Sequence, residues 1–169
     1  MPEEEKTIKD FEQLTGLLKK KEICKRTVVV WPEEDHTQEA ILQATHEGFI
    51  SPILVCSERT KKIFADREAL QAVTAENPEE ASRIAVKIIR EQKADIIMKG
   101  FVNTDVLLRA ILDKEHGILP RGAVLTHITV TKIPEYPKLL FFTDAAVIPY
   151  PTEEQRKAQI KYVIDFCHA

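Results

Sequence analysis

One turn in the middle of the chain carries side chains of the types that bind anions. Lys99 and Gly100 follow the apolar run Ile96–Met98, and Asn103 and Thr104 come just before an apolar helical pattern. The first N–H groups of a helix have no intrahelical partner, and the helix dipole favours negative charge at that end. Lys99 adds a positive charge, and Gly100 allows the backbone to approach a ligand closely. The segment therefore predicts an anion site where a strand runs into a helix.

The same residues also fit an ordinary strand-to-helix turn. Short turns that contain glycine are common, and in this interpretation Lys99 extends into water while Asn103 or Thr104 caps the helix. Arg109 lies four residues after Asp105, so an ion pair along the helix surface explains it as well as a ligand contact does. Taken alone, these residues favour the structural interpretation.

Alternating strand and helix patterns precede this turn and must position it. Continuous apolar runs predict buried strands, and apolar residues at helical spacing predict the helices between them. The strands are predicted at 27–31, 52–56, 70–73 and 96–98, and the helices at 37–47, 57–65 and from Pro78, with Asn77 as N-cap. Repeated strand–helix–strand units imply right-handed crossovers. The sequence therefore predicts an α/β fold with a doubly wound, mostly parallel sheet and helices on both faces.

The pattern changes after a helix predicted from Thr104 to about Glu115. Two β-rich stretches, 124–133 and 138–148, flank a loop with two prolines and predict an antiparallel strand pair. A capping box at 152–155 opens a final helix, whose apolar stripe consists of Ile160, Val163, Ile164 and Cys167. We therefore predict an α/β domain over residues 1–122, and over 123–169 a strand pair and helix that begin an incomplete second domain.

Composition excludes several classes of function. With 169 residues, 44% of them apolar, and a formal net charge of -3 from interspersed charges, the chain forms a folded core and lacks the basic field of a nucleic-acid binder. No apolar run is long enough to cross a membrane, and the acidic start at 1–6 is unlike a signal peptide. Cys24, Cys56 and Cys167 lack metal or redox spacing, and the five histidines are too scattered to predict a metal site. A cytoplasmic location is expected, with Cys56 in the core.

Three blocks of sequence, in order, resemble the phosphate acetyl/butyryltransferase family, on its phosphate butyryltransferase side. The first runs from Met98 to Arg109 and contains Lys99-Gly100, Asn103-Thr104 and Leu107-Leu108-Arg109. The second, Leu125–Val130, is similar to the family's L-S-H strand. The third, Leu139–Ala146 followed by Pro151 and Gln155, resembles its T-D-A-A…P…Q segment. The resemblance extends from about Ile8 to the end of the chain.

The resemblance implies a partial isocitrate dehydrogenase-like fold, in which two α/β domains flank a cleft, usually in a dimer. It implies the reaction acyl-CoA plus phosphate to acyl phosphate plus CoA, so that coenzyme A is a substrate, no cofactor is held and no metal is needed. By motif, the phosphate and substrate side of the cleft would be lined by Lys99, Gly100, Asn103, Thr104 and Arg109. His127 and Asp144 would be further cleft residues at strand ends.

Each of these two further residues also has a structural explanation. His127 lies in a β-branched run and fits a hydrogen-bonded sheet histidine as well as a ligand-binding one. Asp144 closes an apolar run, where a carboxylate more often caps the next segment, although α/β sites also form at the carboxyl ends of strands.

The resemblance also implies what is missing. Family members are much longer, and their catalytic Ser-Arg-Asp cluster has no counterpart here, so no catalytic residue is assigned and the chain alone is expected to be inactive. A truncated product, a half that assembles with a second chain and a non-catalytic remnant all fit. The alternative functions are therefore a non-catalytic module that binds an anion or nucleotide, and a half-protein whose final helix is uncovered when alone.

Overall fold

The computed structural model describes residues 8–66 and 70–168, and these form two compact units. One unit, Leu18–Leu119, is called the α/β unit here, and the described residues on either side of it form the hairpin unit. The acidic segment 1–6, on which the signal-peptide argument was based, lies outside the described residues. The division into domains at residues 122 and 123 stays a prediction.

The α/β unit contains a four-stranded parallel sheet. Helix α1 (Phe11–Lys20) extends from the hairpin unit into this one. The elements that follow are β1 (Lys25–Val30), α2 (Asp35–His46), β2 (Ile50–Cys56), α3 (Glu58–Ile63), β3 (Gln71–Thr74), α4 (Pro78–Arg90), β4 (Ile96–Lys99) and α5 (Thr104–Leu112). The strand order is β3-β2-β1-β4, and every neighbouring pair is parallel. Strands and helices lie where the sequence predicted them, to within a few residues.

The central strand β1 explains why both faces of the sheet are covered. Its side chains alternate between faces, so Val28 and Val30 enter one apolar cluster with residues of α4 and α5. Val29 points the other way and packs with Ile41 of α2. All four side chains are fully buried. The predicted doubly wound arrangement is confirmed.

Helix α5 is shorter than the sequence predicted, because Asp113 ends it. The backbone of Asp113 has φ -55° and ψ 133°, outside the helical region. Its carboxylate accepts hydrogen bonds from the N–H groups of Glu115 and His116, at 3.0 and 2.6 Å. Aspartate competes with helix geometry in this way, so the prediction that α5 continues to Glu115 is wrong.

The hairpin unit contains the predicted antiparallel pair and final helix, but its strands are short. β5 (Thr129–Thr131) pairs with β6 (Leu140–Phe142), and α6 covers Glu153–His168. His127 lies before β5, so its prediction as a strand residue is wrong. The capping box is confirmed, since the Thr152 N–H donates to Gln155 Oε1 at 2.8 Å and the Gln155 N–H donates to Thr152 Oγ1 at 3.3 Å.

A helix that spans a membrane needs about 20 predominantly apolar residues. None of the helices in the described residues is both long enough and apolar enough to cross a bilayer.

Candidate functional site

The strand order places a topological switch point at the carboxyl ends of β1 and β4. From β1 the chain moves to β2 and β3 on one side, and it then returns to β4 on the other side of β1. The connections that leave β1 and β4 therefore diverge, and open α/β sheets bind their ligands at such a switch point. The turn after β1 starts at Trp31, and the turn after β4 starts at Gly100 and leads to Asn103.

These two turns are joined by backbone hydrogen bonds. The Gly100 N–H donates to the Val30 carbonyl at 2.9 Å, and the Phe101 N–H donates to the Trp31 carbonyl at 2.8 Å. A Cβ atom at Gly100 would lie 2.7 Å from both of those carbonyl oxygens. The close approach that requires glycine here is therefore made to the turn after β1.

The ammonium group of Lys99 is held at the start of α5. Its Nζ donates to the Val102 carbonyl at 2.9 Å and to the Gly100 carbonyl at 3.2 Å, while the residue is exposed. A lysine ammonium has three N–H donors, so these two bonds leave one for a ligand. The positive charge is thus positioned by the turn itself instead of extending freely into water.

Helix α5 begins without a side-chain cap. Asn103 occupies the N-cap position, but its side chain makes no capping hydrogen bond. Helix α2, which starts at the same edge, also lacks one, whereas Ser57 caps α3 and Asn77 caps α4. The first turns of both helices contain an aspartate, Asp35 in α2 and Asp105 in α5, but the Asp105 carboxylate is ion-paired with Arg109. The start of α5, beside Lys99, is therefore the better anion position of the two uncapped helices.

Arg109 is ion-paired along its own helix. Its Nη2 contacts Asp105 Oδ2, and its Nε donates to the Asp105 carbonyl at 3.3 Å. The guanidinium also lines a groove of about 950 Å³ between α4 and α5, together with Arg83 and Arg90. The structure thus contains the surface ion pair that was the structural alternative for this residue.

The Asp144 carboxylate is fully hydrogen-bonded within the hairpin unit. Oδ2 accepts from the Thr126 hydroxyl at 2.6 Å and from the His127 N–H at 3.0 Å. Oδ1 accepts from the N–H groups of Ala146 and Val147, at 2.9 and 2.8 Å. The carboxylate therefore closes the turn after β6 and ties it to the segment before β5. The Thr143–Asp144 peptide bond is cis.

Two opposing effects set the pKa of Asp144. Loss of hydration on partial burial raises the pKa, but the hydrogen bonds from the Thr126 hydroxyl and from the N–H groups of Val147, Ala146 and His127 together lower it more. The net result is a pKa well below the usual aspartate range, so Asp144 is ionised at neutral pH. The His127 ring lies 3.3 Å from the Thr129 hydroxyl through Nδ1.

Sequence reasoning missed Glu33, which fixes the turn after β1. Its carboxylate accepts from the Ser57 N–H and hydroxyl, both at 2.8 Å, and from the Thr60 hydroxyl at 2.7 Å. These bonds connect the turn after β1 to the start of α3. The sequence does show Ser57 as an N-cap residue for α3. It does not show that Ser57 also bonds Glu33, which lies 24 residues earlier in the chain. Nearby, burial raises the pKa of the Cys56 thiol to about 11.

The described part of the chain contains no group of three or more His, Cys, Asp or Glu side chains that could hold a metal ion.

Comparison with known proteins agrees with the fold that carries this turn. The family model described as phosphate acetyl/butaryl transferase matches residues 71–164, more than half of the chain. A solved structure, a branched-chain phosphotransacylase from Enterococcus faecalis V583, has a TM-score of 0.71 at 18% identity, over 85% of this chain and 51% of that one. At this identity the structural match shows a shared fold.

Curated relatives match nearly the whole of this chain. A phosphate butyryltransferase from Clostridium beijerinckii is 32% identical over 166 residues, which are 95% of this chain and 54% of that protein. A probable phosphate butyryltransferase from Bacillus subtilis is 31% identical over 93% of this chain and 54% of its own length. A phosphate acetyltransferase from Thermotoga maritima is 28% identical over 83% and 49%. The chain spans about half the length of these relatives.

Proposed function

Because this chain belongs to the phosphate acetyl/butaryl transferase family, we propose that it serves in acyl transfer between coenzyme A and phosphate, with a butyryl-type acyl group. Acyl-CoA and phosphate give acyl phosphate and CoA: a phosphate oxygen attacks the thioester carbonyl, and the C–S bond breaks to release the thiolate, which takes up a proton. The chain supplies the phosphate side of this site. The observation that carries the proposal is the Lys99 ammonium held over the uncapped start of α5.

Each residue of the turn has a separate part in phosphate binding. The remaining N–H of Lys99 and the first N–H groups of α5, at Thr104 and Asp105, donate to the phosphate oxygens. The Asn103 amide, which makes no capping bond, is available as a further donor. Gly100 keeps the turn in place against the turn after β1. Arg109 stays paired with Asp105 and neutralises that carboxylate, which would otherwise repel phosphate at the start of α5.

The hairpin unit has a positioning part in this proposal. Asp144 fixes the backbone of His127 by accepting its N–H at 3.0 Å, and the His127 ring lies beside the Thr129 hydroxyl of the same unit. Asp144 itself has no oxygen free of hydrogen bonds, so it acts through His127. Coenzyme A is a substrate in this proposal, no held cofactor is required, and the active form is a dimer in the cytoplasm.

The phosphate site is tested by titrating inorganic phosphate into the protein at constant ionic strength, with chloride as the compensating salt. We expect the backbone amide NMR signals of 100–105 to shift. For a dissociation constant of about 1 mM, 10 mM phosphate would raise the free energy of unfolding by about 1.4 kcal/mol. The variant Lys99→Met should lose most of both effects, because it keeps the stem and removes the charge.

Lys62→Met is the matched control, since Lys62 is an exposed lysine of the same unit near the end of α3. It should bind phosphate like the parent protein. The site proposal fails if Lys99→Met binds phosphate as tightly as Lys62→Met, or if the shifted amides lie away from the start of α5.

A non-catalytic anion-binding module is the second candidate, because both oxygens of the Asp144 carboxylate are already hydrogen-bonded within the hairpin unit, so Asp144 is not free to act as a base for a thiol. Both candidates bind phosphate, and only the acyltransferase is compatible with turnover. We expect little or no phosphate-dependent release of thiol from butyryl-CoA by this chain alone. Rapid release would place the catalytic groups within this chain and would exclude the module.

A further inference from the structure

The groove of about 950 Å³ between α4 and α5 has no part in the proposed acyl transfer, because the residues that line it do not include the turn 99–105. Its floor is apolar: Val86 of α4 is buried, and Val106 and Ala110 of α5 are half-buried. Small-molecule sites are concave, about 300–1,000 Å³ in volume, and combine an apolar lining with a few placed polar groups. The groove therefore has the size and the floor of a binding site for a small molecule.

Two arginines of α4 lie along this groove at a fixed spacing. Arg83 and Arg90 are two helical turns apart, so they lie on one face of α4 and about 10 Å apart along its axis. Both are exposed, and neither forms an ion pair with a residue that the structure describes. Lys87, which lies between them, is 3.8 Å from Glu91 and is paired with it. The groove thus presents two guanidinium groups that no described residue neutralises.

Most of the acidic side chains that line the groove are held in other contacts. Glu91 accepts a hydrogen bond from the Lys93 ammonium at 2.6 Å. The Asp113 carboxylate accepts N–H groups of the backbone that follows it, and the His116 Nδ1 atom lies 3.3 Å from it. Glu79 lies in the first turn of α4, where the helix dipole compensates its charge. Glu79 is therefore the one lining acid that competes with a bound anion for an arginine.

We propose that this groove binds an elongated dianion, which is an apolar chain with a carboxylate or phosphate group at each end. One anionic group pairs with Arg83 and the other with Arg90, because the planar guanidinium matches both carboxylate and phosphate with two parallel hydrogen bonds. The apolar chain lies over Val86 between them and is removed from water. An extended dicarboxylate of eight carbons, suberate, matches the spacing of the two arginines, and succinate, with four carbons, is too short to reach both. The inference does not depend on phosphate binding at Lys99.

The test is a titration of the whole chain with suberate at constant ionic strength, followed through the backbone amide NMR signals. We expect shifts at 83–91 and 106–113, and a dissociation constant of roughly 1 mM for a ligand of this size. Octanoate has the same chain with one carboxylate, and it should bind at least about fivefold more weakly, as should succinate. The bisphosphate of hexanediol is the second dianion. Binding of either dianion in the groove supports the proposal, and the tighter one identifies the preferred end group.

Variants distinguish the two arginine contacts from a general effect of charge. Arg83→Gln and Arg90→Gln each remove one guanidinium group and keep a good helix former in α4. Each should weaken suberate binding about fivefold, to the affinity of octanoate, while octanoate binding changes by no more than about twofold. Arg59→Gln is the matched control, because Arg59 is an exposed arginine of α3 that does not line the groove. Arg59→Gln and Lys99→Met should both leave the suberate affinity within about twofold.

Four results would overturn the proposal. Octanoate that binds as tightly as suberate would show an apolar groove without a dianion site. Equal weakening by Arg59→Gln and Arg83→Gln would show that suberate responds only to net charge. Shifts confined to 100–105 and lost in Lys99→Met would place suberate at the phosphate site. The absence of shifts in the groove at about 20 mM of either dianion would show that the site does not exist.

Discussion

The α/β unit and the hairpin unit differ in what holds them together. The α/β unit has two apolar clusters around β1, in which Leu54 and Ile41 are fully buried. The hairpin unit is held chiefly by polar bonds around Asp144 and by one aromatic contact between α6 and β6. The Lys99 turn therefore belongs to a part of the chain that has its own apolar core. The residues His127 and Asp144 belong to a part that depends on local hydrogen bonds.

The largest expected effect is the difference in stability between two leucine truncations, one in each unit. Leu54→Ala removes a fully buried side chain of the second cluster and should lower the free energy of unfolding by about 2–5 kcal/mol. Leu139→Ala in the hairpin unit should leave unfolding of the α/β unit nearly unchanged. Urea denaturation followed by Trp31 fluorescence measures both, since Trp31 is the only tryptophan and packs against the first cluster. Equal shifts of the two midpoints would contradict the comparison.

A second prediction concerns Gly100, where the fold of the α/β unit meets the candidate site. Gly100→Ala places a Cβ 2.7 Å from two backbone carbonyl oxygens, neither of which belongs to a flexible side chain. We expect a loss of about 1–3 kcal/mol in the free energy of unfolding, together with weaker phosphate binding. Gly16→Ala is the control, because nothing lies within 4 Å of the added atom and Gly16 is inside α1. There alanine should be neutral or stabilising by about 0.5–1 kcal/mol.

The parallel sheet was predictable because its signals are local. Runs such as Val28–Val30 are apolar throughout, which is typical of strands covered on both faces, and Asn77-Pro78 marks the start of α4 directly. The strands of the hairpin unit were predicted too long, at 124–133 and 138–148. Their ends are set by Asp144, which binds the His127, Ala146 and Val147 N–H groups, and sequence patterns do not show such a bond.

The candidate site was predictable in part for a similar reason. The types and spacing of Lys99, Gly100 and Asn103 indicated a strand-to-helix turn that could bind an anion. The partner of Gly100 was not predictable, because its contact with Trp31 exists only when β4 lies beside β1. That adjacency is a property of the sheet order, which residue spacing does not determine.

A third prediction compares two asparagines at helix starts of the α/β unit. The Asn77 side chain accepts the Glu80 N–H at 2.9 Å, so Asn77→Ala should cost about 1 kcal/mol in the free energy of unfolding and leave phosphate binding unchanged. Asn103 makes no capping bond, so Asn103→Ala should cost less than about 0.5 kcal/mol and weaken phosphate binding. Urea denaturation and phosphate titration of both variants measure the two quantities. If Asn103→Ala destabilises as much as Asn77→Ala, the side chain of Asn103 is a structural cap in solution.

The smallest expected effect on total stability is the pH dependence that Asp144 gives to the hairpin unit. Its pKa is lowered in the folded state, so the stabilisation is complete above the unfolded value of about 4 and is lost progressively as the pH falls below it. The Ala146 and Val147 N–H groups, which donate to Asp144, should lose protection from hydrogen exchange in that range, after correction for intrinsic rates. Asp144→Ala should show the loss already at neutral pH, because it removes both acceptor oxygens. The Val29 amide of β1 should remain protected in both proteins, and parallel loss at Val29 would mean that the two units unfold together and that the comparison between them fails.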